Sequence, residues 1–191
     1  MSTSLKLYML LLGCKPADRL TEQHDIYFGI GAGLEDLIPQ IRQFWPEAGV
    51  KLHIDAWRPV TIVDSFALEV LPRKAGGELR ERRLFFVNLG GYKPDEFDEF
   101  HYKLLIVAPE KGEAIRRAKE TAFYRHTGFE GAESHIDDKY GVDVDEVYEI
   151  QDILPQAQKE KYALRLTPAR NVGPDPLRLG YFQLHKLKNL S

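Results

Sequence analysis

The sequence predicts an α+β protein built as two tandem ββαββ-like units, each with an antiparallel sheet and one main helix, followed by a C-terminal β-hairpin-like extension. Three observations carry this. The text "LYMLLLGCKP" at 7–16 returns as "LFFVNLGGYKP" at 84–94, and later blocks return in the same order. Within each copy, apolar runs of strand length flank a single stretch with helical spacing. The last forty residues have no counterpart in the first copy.

With Leu7 set on Leu84 the offset is 77, so Leu12-Gly13 falls on Leu89-Gly90 and Cys14 on Gly91. Glu22-Gln23-His24 then falls on Glu99-Phe100-His101. At an offset of 82, His53-Ile54-Asp55 falls on His135-Ile136-Asp137. Val60-x-Ile62 falls on Val142-x-Val144 at the same offset, and a duplication explains four ordered blocks more economically than chance does. The expected boundaries are 5–71 for the first unit, 72–83 for a polar connector, 84–150 for the second unit and 151–191 for the extension.

The elements follow in order. Leu7 to Leu12 and Leu84 to Leu89 are continuous apolar runs closed by glycine, as buried strands are. "HDIYFGIG" and "HYKLLIVA" come next, after loops of hairpin length. Leu34, Leu37, Ile38, Ile41 and Trp45 lie at helical spacing, as do Ala114, Ile115, Ala118 and Ala122. Pro39 places the first helix start near Asp36, because a proline fits only the first turn. "KLHIDAW" and "VTIVDSFALEV" complete the first unit as strands, and "SHIDD" with "VDVDEVYEI" the second. In the tail, "YALRLTP" and "GYFQLHKL" read as two strands around the turn-rich "ARNVGPDP".

Composition narrows the function classes. The chain has 191 residues, 43% of them hydrophobic, enough for a real core. A net charge of −3 gives no general attraction to nucleic acid or anionic lipid. A single cysteine rules out an internal disulfide. No apolar run approaches the roughly 20 residues of a membrane helix. Leu11-Leu12-Gly13-Cys14 has the look of a lipoprotein signal, but its apolar run is short and the text recurs inside the chain. The expectation is a cytoplasmic monomer or homodimer without nucleic-acid or membrane partners.

The recurring "LGG" or "LGC", the Glu-x-His after it and the His-Ile-Asp after the helix resemble a bacterial family, the domain of unknown function 1543, which occurs in one or two copies per protein. The resemblance spans roughly 7–70 and 84–150. It is most specific at Leu84 to Gly91 with Glu99 and His101, and at His53-Ile54-Asp55-Ala56-Trp57. The family name implies no activity and no catalytic residues. The first copy departs from the pattern at Cys14, where glycine is favoured.

The candidate ligand-binding residues are Glu22, His24, His53, Asp55 and Trp57, with Glu99, His101, His135 and Asp137 in the second copy. Residues two apart in a strand share a face, so His53 projects with Asp55, and Glu22 with His24 if that stretch is extended. Should the two strands be neighbours, two imidazoles and two carboxylates converge, which suits a divalent metal or acid–base chemistry. The competing reading is local bracing of hairpin and strand ends. Gly29-x-Gly31-x-Gly33 is not the GxGxxG of a dinucleotide site and reads as a tight strand-to-helix turn. Cys14 reads as a buried, inert thiol.

Two functions follow. The first is a non-enzymatic binding or accessory protein that uses the crevice between two pseudo-twofold-related units for a small molecule or a protein partner. The alternative is a metal-dependent or His/carboxylate acid–base hydrolase.

Overall fold

A computed structural model gives the fold and describes residues 4–73, 81–92, 95–121, 143–170 and 172–189. It is a mixed α+β structure whose paired strands are all antiparallel among the described residues. In chain order the strands are β1 (Lys6–Cys14), β2 (Gln23–Gly31), β3 (His53–Val60), β4 (Ile62–Val63), β5 (Phe66–Pro72), β6 (Arg83–Tyr92), β7 (Glu99–Ala108), β8 (Asp143–Glu149), β9 (Tyr162–Pro168) and β10 (Arg178–Gln183). The α-helices are α1 (Ile38–Phe44), α2 (Lys111–Lys119), α3 (Ile150–Ile153) and α4 (Gln156–Lys161). No described helix is long and apolar enough to cross a membrane.

The chain divides into two compact units, Met1–Ala75 with Leu154–Ser191, and Gly76–Ile153. In the first, four strands form a sheet in the order β10-β3-β1-β2, while β4, β5 and β9 form a second. In the other unit the order is β7-β6-β8. Both strands of the C-terminal segment thus join sheets of the first unit.

Alternation along β1 sorts the side chains of the four-stranded sheet. Tyr8, Leu10, Leu12 and Cys14 pack with Tyr27 and Ile54 beneath Leu34, Leu37 and Ile41 of the helical layer. Residues 9, 11 and 13 point to the other face. Glycines in β2 let that layer close. A β-carbon at Gly31 would lie 2.9 Å from the Gly33 carbonyl oxygen, and one at Gly29 2.8 Å from the Tyr27 ring. The glycine-rich turn is accounted for by this packing. Asp36 completes it, accepting hydrogen bonds from the backbone N–H groups of Ala32 (2.8 Å) and Gly33 (3.2 Å).

Two local features differ from expectation. The helix begins at Ile38, after a 3-10 turn over Leu34–Leu37, with Pro39 still in the first turn. "VTIVDSFALEV" holds a hairpin, not one strand. Asp64 (φ 50°) and Ser65 (φ 63°) both adopt left-handed backbone, the signature of a tight two-residue turn between β4 and β5. "SHIDD" lies outside the described residues.

The outer edge of β2 is blocked by one side chain. Gln158 of α4, itself buried, accepts a hydrogen bond from the Ile30 N–H (2.8 Å) and donates one to the Ile30 carbonyl (2.7 Å), as a neighbouring strand would. Its amide also donates to Gln40 Oε1 at 2.9 Å, and Gln40 in turn accepts from the Tyr27 hydroxyl. A capped edge resists pairing with other chains. Gln158→Ala strands two buried backbone groups, so the expected cost is about 1–3 kcal/mol, read as a lower urea midpoint at unchanged slope.

Candidate functional site

The centre of the site is a residue without a side chain. Gly13 in β1 pairs with His24 of β2 on one side and His53 of β3 on the other, so both imidazoles flank it on the face away from the helical layer. Asp55 reaches the same place through a double irregularity. Leu12 pairs with Ile54 and Leu11 with Ala56, leaving Asp55 with no partner in the β1 register. Across the other edge of β3, Phe182 pairs with Ile54 and Leu179 with Ala56. Gly180 and Tyr181 therefore stand opposite Asp55, with Gly180 at a φ of 145° that favours glycine. Bulges re-aim side chains, and here two of them flank one carboxylate.

Four of the five predicted residues of the first unit meet. His24 Nε2 lies 3.1 Å from Asp55 Oδ2 and 3.8 Å from Glu22 Oε2. His53 Nε2 lies 3.0 Å from Glu22 Oε1 and 3.4 Å from Asp55 Oδ1. One donor atom from each of Glu22, His53 and Asp55 falls within 4.8 Å of the others. His53 is buried, whereas His24 and Glu22 are open to solvent at 41% and 43% of their side-chain surface. The cluster is closed at its base and wet at its rim.

His53 carries a further constraint. Its Nδ1 sits 2.8 Å from the carbonyl oxygen of Lys51, which can only accept, so Nδ1 bears the hydrogen. In the neutral ring Nε2 then presents a lone pair toward two carboxylates. Despite the short distances, neither His53 Nε2 nor Asp55 Oδ2 makes a hydrogen bond among the described residues, and both atoms are buried. The atoms converge on a common point instead of pairing off. The Tyr181 ring lies against the His53 imidazole, with centroids 4.3 Å apart and planes 38° from parallel.

Trp57 is not brought to this cluster. It pairs with Leu10 and packs on the helical face, its ring 6.3 Å from that of Tyr8. Cys14 faces the same apolar side, and its thiol donates to the Ala48 carbonyl at 3.6 Å. Burial pushes the thiol pKa up, with Glu22 adding to the rise against an opposing pull from Lys51. In the second unit Glu99 and His101 are together, Oε2 to Nε2 at 3.9 Å, with His101 paired to Gly90 as His24 is to Gly13. His135 and Asp137 lie outside the described residues.

Sequence reasoning missed Gly13 and Tyr181. The first had a signal, since a glycine recurs at residue 90 in the repeated block. The second had none, because nothing in the tail indicates that β10 lies beside β3.

Residues 19–70 match the model of a family described as Domain of Unknown Function (DUF1543), a span that contains Glu22, His24, His53 and Asp55. Among solved structures the chain is similar to a protein Il1583 from Idiomarina loihiensis, with a TM-score of 0.57 and 20% identity, over 94% of this chain and 97% of that one. At that identity the likeness is one of fold. No curated protein matches the chain.

Two outcomes are expected. A β-carbon at residue 13 would lie 2.6 Å from His53 Nε2 and collide with Asp55 Oδ2. Gly13→Ala therefore lowers unfolding free energy by about 1–3 kcal/mol, and less in an Asp55→Ala background, a coupling that a double-mutant cycle in urea measures. The single thiol, buried and held protonated, stays silent to a disulfide reagent in the native chain and reacts stoichiometrically once unfolded.

Proposed function

We propose that this chain is a binding protein whose first unit holds a divalent first-row transition metal through His24, His53, Glu22 and Asp55. One observation carries the reading: the Nε2 lone pair of His53, fixed by the Lys51 carbonyl, faces two carboxylates that do not hydrogen-bond to it. With a neutral ring that arrangement is repulsive, and a cation among the atoms relieves it. A carbonyl holding the far nitrogen is the usual outer support of a metal-binding histidine.

Two imidazoles and two carboxylates suit borderline ions such as Zn²⁺ better than Mg²⁺ or Ca²⁺, which favour oxygen alone. Glu22, His53 and Asp55 offer donor atoms within 4.8 Å of one another, and His24 at the rim, 3.1 Å from Asp55, is the fourth donor that would close a tetrahedral set. A fourth protein donor supports binding over hydrolysis, with the bound species held in the first unit.

We also propose that the two units descend from one ancestor. The register shift in β1 falls between Leu11 and Leu12, and that in β6 between Asn88 and Leu89, the same place at an offset of 77. The strand order β3-β1-β2 likewise parallels β8-β6-β7. By register, however, the residue opposite Gly90 that corresponds to His53 is Asp143. The offset at the third strand is then 90, not the 82 suggested by the His-Ile-Asp text. The second unit would thus lack the second imidazole of the first.

The test is elemental analysis of protein purified without a histidine tag, followed by chelation and titration with Zn²⁺. About one ion per chain is expected, and Zn²⁺ at roughly a hundred times its dissociation constant raises unfolding free energy by about 2.7 kcal/mol. His53→Ala and Asp55→Asn each weaken uptake at least about tenfold. A chain that takes up none of Zn²⁺, Mn²⁺ or Fe²⁺, with its melting temperature unmoved by them, refutes the reading.

A further inference from the structure

A small cavity of about 60 Å³ lies on the other flank of Tyr181, walled by the Gly49–Leu52 stretch and lined by Arg42, Gln183 and His185. Besides the Tyr181 phenol, its polar side chains are one guanidinium, one amide and one imidazole, and no carboxylate lines it. Neither Arg42 nor His185 forms an ion pair among the described residues. Lys186 adds a further positive charge beside Tyr181 and Gln183. The space is larger than the roughly 10–15 Å³ that one water needs.

Arg42 in the last turn of α1 would on its own be explained by the helix dipole. The convergence of Gln183 and His185 from a separate segment on the same cavity is not. We infer that this pocket binds a phosphate group through Arg42, Gln183 and His185. The guanidinium supplies a forked pair of N–H donors, the amide a neutral donor, and the imidazole a donor at its protonated nitrogen. The site needs no metal. It shares Tyr181 with the His53 cluster, so a phosphate-bearing ligand held here lies beside the proposed metal centre.

The experiment is a calorimetric titration of the full chain, stripped with EDTA at low ionic strength, with inorganic phosphate, and in parallel with glycerol phosphate and acetate. Saturable phosphate binding is expected, weakened at least about tenfold in Arg42→Gln and in His185→Ala, each removing one charged or polar donor from the anion. Both residues are exposed, so the variants should melt with the wild type. Tighter binding of glycerol phosphate assigns an organic phosphate as the source, and equal binding assigns the free ion. Glu22→Gln leaves phosphate binding intact even where it abolishes metal uptake, which keeps the two sites' outcomes separate. Absence of phosphate binding, binding indifferent to Arg42→Gln, or acetate bound as tightly as phosphate overturns the assignment.

Discussion

The arrangement of the first unit depends on what happens at Asp55, the residue at which β3 loses register with both of its neighbours. A regular three-strand ladder would pair every residue of β3 on each side, and side chains would alternate without exception. Here the extra residue absorbs the alternation. Ile54 stays in the core and Trp57 joins it, while His53 and Asp55 both turn toward the gap above Gly13. Without the bulge, Trp57 would share the face of His53 and Asp55 instead of joining Ile54 in the core. The missing β-carbon at Gly13 is the complementary half of this constraint, because the carboxylate occupies the space a side chain there would need.

What was legible follows from this. Period-two alternation in "KLHIDAW" and "EQHD" is a local property, so the sharing of a face by His53 with Asp55 and Glu22 with His24 could be read directly. Their meeting could not, because it depends on β2 and β3 both flanking β1, a long-range pairing that no spacing in the sequence encodes. The hairpin at Asp64 and Ser65 escaped because neither residue is glycine or asparagine, the usual markers of positive φ. Gln158 escaped for another reason. A buried glutamine that imitates a strand is indistinguishable in sequence from an exposed one on an amphipathic helix.

The His-Ile-Asp text at 135–137 lies outside the described residues, and the described strand beside β6 that matches β3 in order is β8. Strand pairing is set by the ladder, and the ladder places Asp143 beside Gly90, with Val144 opposite Leu89 and Glu146 opposite Asn88. Asp145 is then the residue skipped at the shift, as Asp55 is in the first unit. Under the proposed duplication the bulge, the glycine and the Glu-x-His pair are kept, while the deep imidazole is replaced. Glycine and bulge belong to the scaffold, since each governs how three strands fit together. The histidine does not: at the position paired with the strand glycine, the described residues hold His53 in the first unit and Asp143 in the second.

His53 also joins the two proposed sites. Its ring is held from two directions, by the Lys51 carbonyl at Nδ1 and by Tyr181 against its face. A ring held in this way has little freedom to turn its lone pair away, so the repulsion between Nε2 and the carboxylates cannot be relieved by rotation. A cation at that point relieves it, as a turn of the solvent-exposed Glu22 side chain also would. The Lys51 carbonyl that fixes the ring belongs to the stretch that also walls the Arg42 cavity. Occupancy of that cavity therefore bears on the same backbone and the same Tyr181 ring that set the orientation of His53. Two ligands that order shared groups each lower the cost of ordering them for the other, and a phosphate-bearing ligand would strengthen metal binding through Tyr181 without touching the ion.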